Sequence, residues 1–527
     1  MIGRAKPQAS LYDVGNVFDF RLKPGSFYAQ LAEASSRLFT DDMFAKFYSK
    51  NLGRPSVPPS RLAIICVLQA YEGLSDDAAV EHTSFDLRWA AILHHMAGTL
   101  FCAKSTLQMF RSHLVIHKML NDILSVSIAE AKRSGLLKGE LAIAIDTKPM
   151  IGRGAVKDTY NLLADGIVKL ARRLAKESEQ TLESYLKDVG MERYAASSIK
   201  GNADIDWSDD AAANALLTQI VADAKLLLAR AAGGGDKIRN AASLLCSLLL
   251  QDVEESVSKD GGPPSSTIKK GTSPGRIPST TDPEQRHGRK SKSHRFTGSK
   301  SSVATDADSQ IITAADIISG DAPDNQGALE LVQQAEANSG LVVTETMGDC
   351  AYGDGGTRQK FEDAGRILVA KVPKAPHSAN IFPKSRFVVD LENDTVTCPA
   401  GHTTAQYSMR GQVKVFDFGR VCTSCPLRLL CTESKRSRRV QIHPQERLLQ
   451  AARTFQQTDD GRKCLRKRVV VEHALARLSH LGISQARYIG HAKSRFQLIA
   501  ACAVANLRRT WNWIAAQTSN QTAIAAA

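Results

Sequence analysis

The chain has 527 residues, 43% hydrophobic and 6% aromatic, which is enough apolar content to bury a sizeable core and excludes a chain disordered throughout. At roughly 100–200 residues per domain, the length suggests about three domains. Lys and Arg outnumber Asp and Glu 68 to 54, a formal charge of +14, and that excess points toward a polyanionic partner. The longest unbroken apolar run, Leu498–Ala505, is far short of the roughly 20 residues a spanning helix needs, so no membrane role is expected. The opening MIGRAKPQAS lacks the apolar centre of a secretory signal. Ten cysteines are too sparse for a disulfide scaffold. Cys66 and Cys246 lie in apolar runs and read as reduced core thiols of a cytoplasmic protein.

The first 135 residues read as short helices. Pro59-Ser60 opens one that Gly73 ends, Ser75 caps the next, and Lys104-Ser105 opens a third. Their basic positions Arg54, Arg61, Arg88, Lys104 and Arg111 fit a helical DNA-binding region, with ordinary solvated charge as the competing reading. LAIAI at Leu141–Ile145 is a short buried strand stopped by Asp146 and Pro149. Helical pattern then resumes to Gln251. From Ser258 to Pro283, 18 of 26 residues are Gly, Pro, Ser or Thr, the composition of a linker. HRFTGSKSSVATD and QIITAADIISG form a hairpin across a turn at 307–309, and GALELVQQAEANSG is a helix ending at Gly340. LVVTETM is a strand, GGTRQKFEDAGR a helix and ILVAKV a strand again.

The order is therefore β, a long insertion, β, β, α, β, α, β. An antiparallel hairpin followed by βαβ units is the order of a ribonuclease H-like mixed α/β sheet. The divisions that follow are an N-terminal helical domain (1–135), the first core strand (136–160), a helical insertion (161–257) and a linker (258–283). After these come the rest of the core (284–374), a cysteine-bearing insertion (375–455), C-terminal core helices (456–515) and a tail (516–527).

Asp146 follows the first strand, Asp349 follows LVVTETM beside Gly348, and Glu472 sits next to the helical stripe Val471, Leu475, Leu478. Three acids on separate elements can converge on hard cations, which take oxygen ligands. Singly, each has an ordinary explanation: a strand-end Asp is commonly a turn or cap residue, and Asp354 reads as the N-cap of GGTRQKFEDAGR. Spacing alone does not select three acids from 54.

Four segments carry a more specific signal: DTKPMIGRGAVKDTYNLLADGI (146–167), DPEQRHGRKSKSHRFTGSK (282–300), APDNQGALELV (322–332) and GDCAYGDGGTR (348–358). In this order they resemble the DDE transposases of bacterial insertion sequences, in the branch with a cysteine-bearing insertion before the last acid. GRPSVPPSRLAIICVLQAYEGLSDDAAVEHTSFDLRWA resembles that branch's N-terminal helical domain, and LSHLGISQARYIGHAKSRFQLIAACAVANLRR its C-terminal segment; the resemblance runs from about residue 50 to 510. It implies Asp146, Asp349 and Glu472 as catalytic acids holding Mg²⁺, with Mn²⁺ able to substitute. It also implies cleavage at insertion-sequence ends and strand transfer into target DNA. Partners would be double-stranded DNA, both terminal inverted repeats and target, bound by a homodimer or larger assembly at the nucleoid. Arg468 fits the family's Arg four residues before the glutamate. Leu465 and Ser479 depart from it, standing where Tyr and Lys are expected. The rival readings are a ribonuclease H-like nuclease without strand transfer and a transposase-derived DNA-binding protein without catalysis.

Cys398, Cys422, Cys425 and Cys431 offer four thiolates, which in tetrahedral array suit one structural Zn²⁺; the competing reading is a cluster of buried thiols. His402 is a substitute ligand. Residues 433–468 hold 11 Lys/Arg against 4 Asp/Glu, with Arg462, Lys463, Arg466, Lys467 and Arg468 clustered at the end. A second basic run, 285–300, ends at Lys300. Both border the expected active-site elements and read as phosphate-binding surface. The C-terminal pattern Phe496, Ile499, Ala503, Leu507, Trp511 reads as a core face.

Overall fold

The computed structural model describes residues 1–5, 13–256, 265–291, 293–373 and 381–526, with side chains to 518. Residues 258–264 of the expected linker, Lys292 of the basic run, 375–380 of the cysteine-bearing insertion and Ala527 of the tail lie outside the described residues.

Among the described residues, six α-helices of seven residues or more precede the first strand of the central sheet: α1 (Phe27–Leu38), α2 (Pro59–Glu72), α3 (Asp76–Phe85), α4 (Leu87–Leu93), α5 (Lys104–Ile116) and α6 (Leu120–Arg133). Local chemistry sets their ends. Pro59 occupies the first turn of α2 and Gly73 closes it at φ +75, a conformation that suits glycine. The Ser75 hydroxyl accepts from Ala78 N to cap α3. Helix α5 ends at Ile116, and the chain turns at Lys118, whose φ is +56.

Strand β1 (Leu141–Ile151) is longer than LAIAI suggests and carries Asp146 and Pro149 within it. The odd-numbered residues of β1 turn their N–H groups toward the strand that follows Gly340: Leu141 N donates to Val342 O, and Ile151 N donates to Ser484 O. That neighbour pairs only as far as Ala144, so the missing N–H of Pro149 faces an edge without a ladder and breaks nothing.

A helical insertion follows, built on α7 (Thr159–Glu177), α8 (Asp210–Arg230) and α9 (Asp236–Asp252). It has its own core, including Leu163, Ile167, Leu217, Ile220 and Leu245. Helix α8 is long and apolar enough to cross a membrane by length and composition alone, but Leu217, Ile220, Val221, Ala224 and Leu227 are buried inside this core. Cys246, expected in a core, is exposed on α9. The breaker-rich stretch is not a free tether where it is described. Strands β2 (Val253–Ser256) and β3 (Ser265–Ile268) pair, and Ser279, Thr280 and Asp282 are buried. Arg276 pairs with Asp252 at 2.6 Å, so polar bonds fasten a segment whose composition resembles a linker.

The sheet is completed by β4 (Arg286–Arg289), β5 (Arg295–Asp306), β6 (Ile312–Ser319), β7 (Val343–Gly348) and β8 (Leu368–Ala370), with α10 (Ala328–Ser339) and α11 (Gly355–Asp363) as connections. β5 runs antiparallel to β1 and β6 antiparallel to β5, while β7 and β8 run parallel to β1. The spatial order is β6–β5–β1–β7–β8, with β4 lying end to end with β6 along the same edge of β5. Among these five strands β5 alone is reversed.

Between β8 and the C-terminal helices sit two small sheets, one of β9 (Val388–Asp390), β10 (Thr395–Thr397) and β11 (Thr403–Thr404), the other of β12 (Tyr407–Arg410), β13 (Val413–Asp417) and β14 (Arg439–Ile442). They share a third core of Phe387, Val396, Phe416, Phe418, Cys431, Val440 and Ile442. Helices α12 (Glu446–Phe455), α13 (Asp459–Lys467), α14 (Val469–His480) and α15 (His491–Ala526) end the chain. α14 packs on β1 and β5, and α15 on β6, α6 and α2. α15 continues as helix through the expected tail, and its stripe Phe496, Ile499, Ala503, Leu507 and Trp511 is buried.

The N-terminal helices pack against the C-terminal helices and the sheet. Their apolar residues join the sheet, α14 and α15 in one continuous core. Buried Asn506 of α15 completes the free edge of β6, accepting from Ile312 N and donating to Ile312 O, each at 2.8 Å.

Candidate active site

Extending the β1–β7 register two residues beyond the Ala144–Met347 pair sets Asp146 opposite Asp349, about one strand spacing (~4.8 Å) apart in the backbone. Asp146 thus lies within β1, not beyond its end. Asp349 caps the turn after β7, its carboxylate accepting from Ala351 N at 2.8 Å. Arg358 fastens the following loop, donating to Gly353 O at 3.0 Å and to Ala370 O at 2.5 Å. Gly348 is required by packing: a Cβ there would meet the Tyr352 ring at 2.9 Å.

Glu472 comes from α14, half-exposed above the sheet. Arg468, one turn earlier, bridges the two acids: its Nη2 donates to Glu472 Oε1 at 2.5 Å, and its Nη1 lies 3.6 Å from Asp146 Oδ2. The three sequence-selected acids therefore meet at one end of the parallel strands, with the guanidinium between two of them.

Sequence reasoning missed a fourth acid, Asp324, within the quoted APDNQGALELV segment. Its Oδ1 accepts from Thr147 Oγ1 at 2.8 Å and Lys300 Nζ at 2.7 Å. Lys300 itself corrects the surface expectation. It is 7% exposed, and its ammonium is spent on Asp324 and the Ala322 carbonyl. The signal was alternation: Lys300 pairs with Pro149 in the middle of the sheet.

Lys148 shares the Asp146 face of β1 and reaches α14, where its Nζ donates to Ser479 Oγ at 2.5 Å. Burial and the charge of Lys290 hold its pKa below the usual lysine value.

Two buried groups at the acids have needs that the surrounding side chains leave unmet. Burial, and then the charges of Asp349 and Asp324, push the Asp146 carboxyl up to about 6, against the opposing pull of the Thr147 N–H and Arg468. The Tyr352 hydroxyl, close to Asp146, Asp324 and Asp349, is buried with no hydrogen-bond partner, and burial raises its pKa well above the usual tyrosine value. A hydrated hard cation meets both needs, since carboxylates supply oxygen ligands and a retained water supplies a partner. Asp146 and Asp349 would hold it, with Glu472 across from them.

The tightest three-donor group among the described residues lies elsewhere: Glu72, His82 and Asp86, within 4.8 Å of one another. Its carboxylates are already occupied. Glu72 Oε1 accepts from Trp89 Nε1 at 2.7 Å and Tyr28 OH at 3.0 Å, and Asp86 is paired with Arg88. It is a structural tie between α2, α3 and α4. The basic positions expected to face DNA in this region are largely committed too. Arg61 donates to Ile92 O, Arg88 pairs with Asp86, and Arg111 is buried against Asp76. Lys104 pairs with Asp77, while Arg54 is exposed.

The four cysteines do converge. Cys398, Cys422, Cys425 and Cys431 line one small cavity together with His402. Backbone Arg438 N donates to Cys422 Sγ at 3.5 Å. Burial raises the Cys431 thiol's pKa, with the neighbouring sulfurs adding to it. A sulfur-rich cavity with an N–H aimed at a sulfur fits a thiophilic ion. Among the described residues, however, the cysteines do not form a group with all donors within 4.8 Å, so they would draw together around it. On α13, Arg462, Lys463, Arg466 and Lys467 are exposed. Arg462 and Lys463 make only exposed i,i+3 pairs with Asp459 and Asp460.

Residues 397–511 match the family model described as a transposase DDE domain, and residues 16–113 match a transposase domain (DUF772). The first range takes in the four cysteines and Glu472; Asp146 and Asp349 lie outside both ranges. The two matches support a DDE transposase of insertion-sequence type, a class whose DDE domains generally use divalent metals and act on DNA. No curated protein and no solved structure matched the chain.

Proposed function

We propose that the chain is a DDE transposase that cleaves DNA at insertion-sequence ends and joins the freed 3′-OH to target DNA, with Asp146, Asp349 and Glu472 as its catalytic acids. The observation that carries this reading is their convergence from β1, the end of β7 and α14, where burial and the neighbouring acids push the Asp146 carboxyl up to about 6. The strand order β6–β5–β1–β7–β8 with β5 reversed supports a ribonuclease H-like core. When bound, Mg²⁺ or Mn²⁺ supplies charge stabilisation for the attacking and leaving oxygens of an in-line phosphodiester displacement.

The chain's own contribution is positioning. Register holds Asp146 against Asp349, Arg358 fastens the loop behind Asp349, and α14 brings Glu472 over the sheet. Arg468, between Asp146 and Glu472, keeps the acids from repelling one another and is free to turn toward a phosphate once they are otherwise neutralised. Exposed Arg462, Lys463, Arg466 and Lys467 offer the DNA backbone a positive ridge beside the acids. The cysteine-bearing insertion belongs to the branch this chain resembles, with one structural Zn²⁺ tying Cys398, Cys422, Cys425 and Cys431. Assembly as a homodimer or larger complex on DNA follows from the same reading.

The test pairs two aspartates five residues apart. Asp349→Asn keeps the Ala351 cap but loses the charge; the variant should bind DNA and lose nicking and joining to background. Asp354 accepts from Thr357 N at 3.0 Å as the α11 cap, a role Asn fills about as well, so Asp354→Asn should keep most activity. Strand-transfer assays in Mg²⁺ on DNA carrying the element's ends read this. Joining by Asp349→Asn with none by Asp354→Asn would overturn the assignment, and cleavage without joining in the unaltered protein would leave a nuclease.

A further inference from the structure

Lys148 lies two residues beyond Asp146 on the same face of β1, so its Cα is about 7 Å farther along the strand. Its ammonium crosses to α14 and donates to Ser479 Oγ at 2.5 Å, a contact between residues 331 apart in sequence. The Ser479 hydroxyl proton is committed to Leu475 O at 2.6 Å, so the serine can only accept, and it holds one of the three lysine N–H donors. Lys148 forms no ion pair among the described residues, and its charged neighbour is a second lysine, Lys290, on the exposed turn between β4 and β5. Other cations in and around this site are neutralised: Lys300 by Asp324, Arg468 by Glu472 and Asp146. A half-buried lysine, oriented by a serine, facing another lysine and sharing a strand face with a catalytic acid, is a cation without its anion.

We propose that Lys148, seated on Ser479, binds a DNA backbone phosphate next to the one attacked at Asp146, with Lys290 as a looser second contact. This rests on the transposase reading for the identity of the anion. Lys148 rises from the strand that carries Asp146, and two donors of Nζ remain for a phosphate's oxygens. The serine fixes the direction of the ammonium before DNA arrives, which lowers the ordering cost of binding.

The test measures affinity of the full chain for a labelled DNA duplex across a salt series in metal-free buffer. Lys148→Met should weaken binding and reduce the log–log salt slope by about 0.9, the share of one phosphate. Lys148→Arg should keep the slope. Lys148→Met combined with Ser479→Lys, which returns an ammonium to the same contact from the helix side, should restore it. A slope unchanged by Lys148→Met overturns the proposal. So does a loss that neither Lys148→Arg nor the relocated lysine repairs, because that marks a packing role. Failure of the underlying reading looks different: Asp146→Asn, Asp349→Asn and Glu472→Gln would all leave cleavage intact while the Lys148 slope effect stood.

Discussion

Replacing Asp146 by Asn in metal-free protein should stabilise it, because the fold holds this carboxylate at a cost. Its carboxyl is pushed up to about 6 from 3.8, by burial first and by Asp349 and Asp324 after it. The folded state therefore binds the proton more tightly than the unfolded state does. Stability contributed by the protonated form is present below about pH 4 and is lost as pH rises to about 6. A shift of about 2 units at 1.36 kcal/mol each amounts to about 3 kcal/mol above that range. Asn retains an oxygen for the Thr147 N–H, which now donates to Asp146 Oδ1 at 2.7 Å, and carries no charge. Asp146→Asn should thus gain about 2–3 kcal/mol at pH 7.5 and little at pH 4, read by urea unfolding of both proteins at each pH. Mg²⁺ added at pH 7.5 should raise the stability of the unaltered protein and leave the variant nearly unchanged. A variant no more stable at pH 7.5, or a gain of equal size at both pH values, would refute the claim that uncompensated charge is stored at this position.

The other expectations are simpler. Freshly reduced protein should carry about one zinc by metal analysis, and Cys422→Ser should lose it and loosen the two small sheets; zinc-free protein with all four thiols titratable would refute this. Neutralising Arg462, Lys463, Arg466 and Lys467 together should weaken DNA binding and lower the log–log salt slope by up to about 3.6, at 0.9 per phosphate contact, and an unchanged slope would make the α13 ridge ordinary solvated surface. Asn506→Ala should cost about 2–3 kcal/mol by stranding both backbone groups of Ile312 inside the core; urea unfolding with under 1 kcal/mol lost would show that β6 does not depend on α15 for its edge.

What was legible in the chain alone was what neighbours decide. Ser75, Asp354, Gly73 and Gly340 act through bonds and dihedrals within a turn of themselves, so the cap chemistry and helix ends could be read directly. The same holds for the hairpin of β5 and β6 and for the stripe on α15, whose periodicities are local. Pro149 misled because a proline stops a strand only where its missing N–H is needed, and that depends on where β7 ends. The Gly- and Ser-rich composition of 265–283 misled because burial of Ser279, Thr280 and Asp282 is a property of what packs over them. Lys300 read as surface for the same reason: its neutralising partner, Asp324, is brought alongside only when β5 joins the sheet. Resemblance could select Asp146, Asp349 and Glu472. The guanidinium of Arg468 between two of them, the raised Asp146 carboxyl and the ammonium of Lys148 resting on Ser479 were decided by tertiary structure. Charge interactions act over a few ångströms of space with no regard for separation along the chain, and only the folded sheet brings residues 148 and 479 within that range.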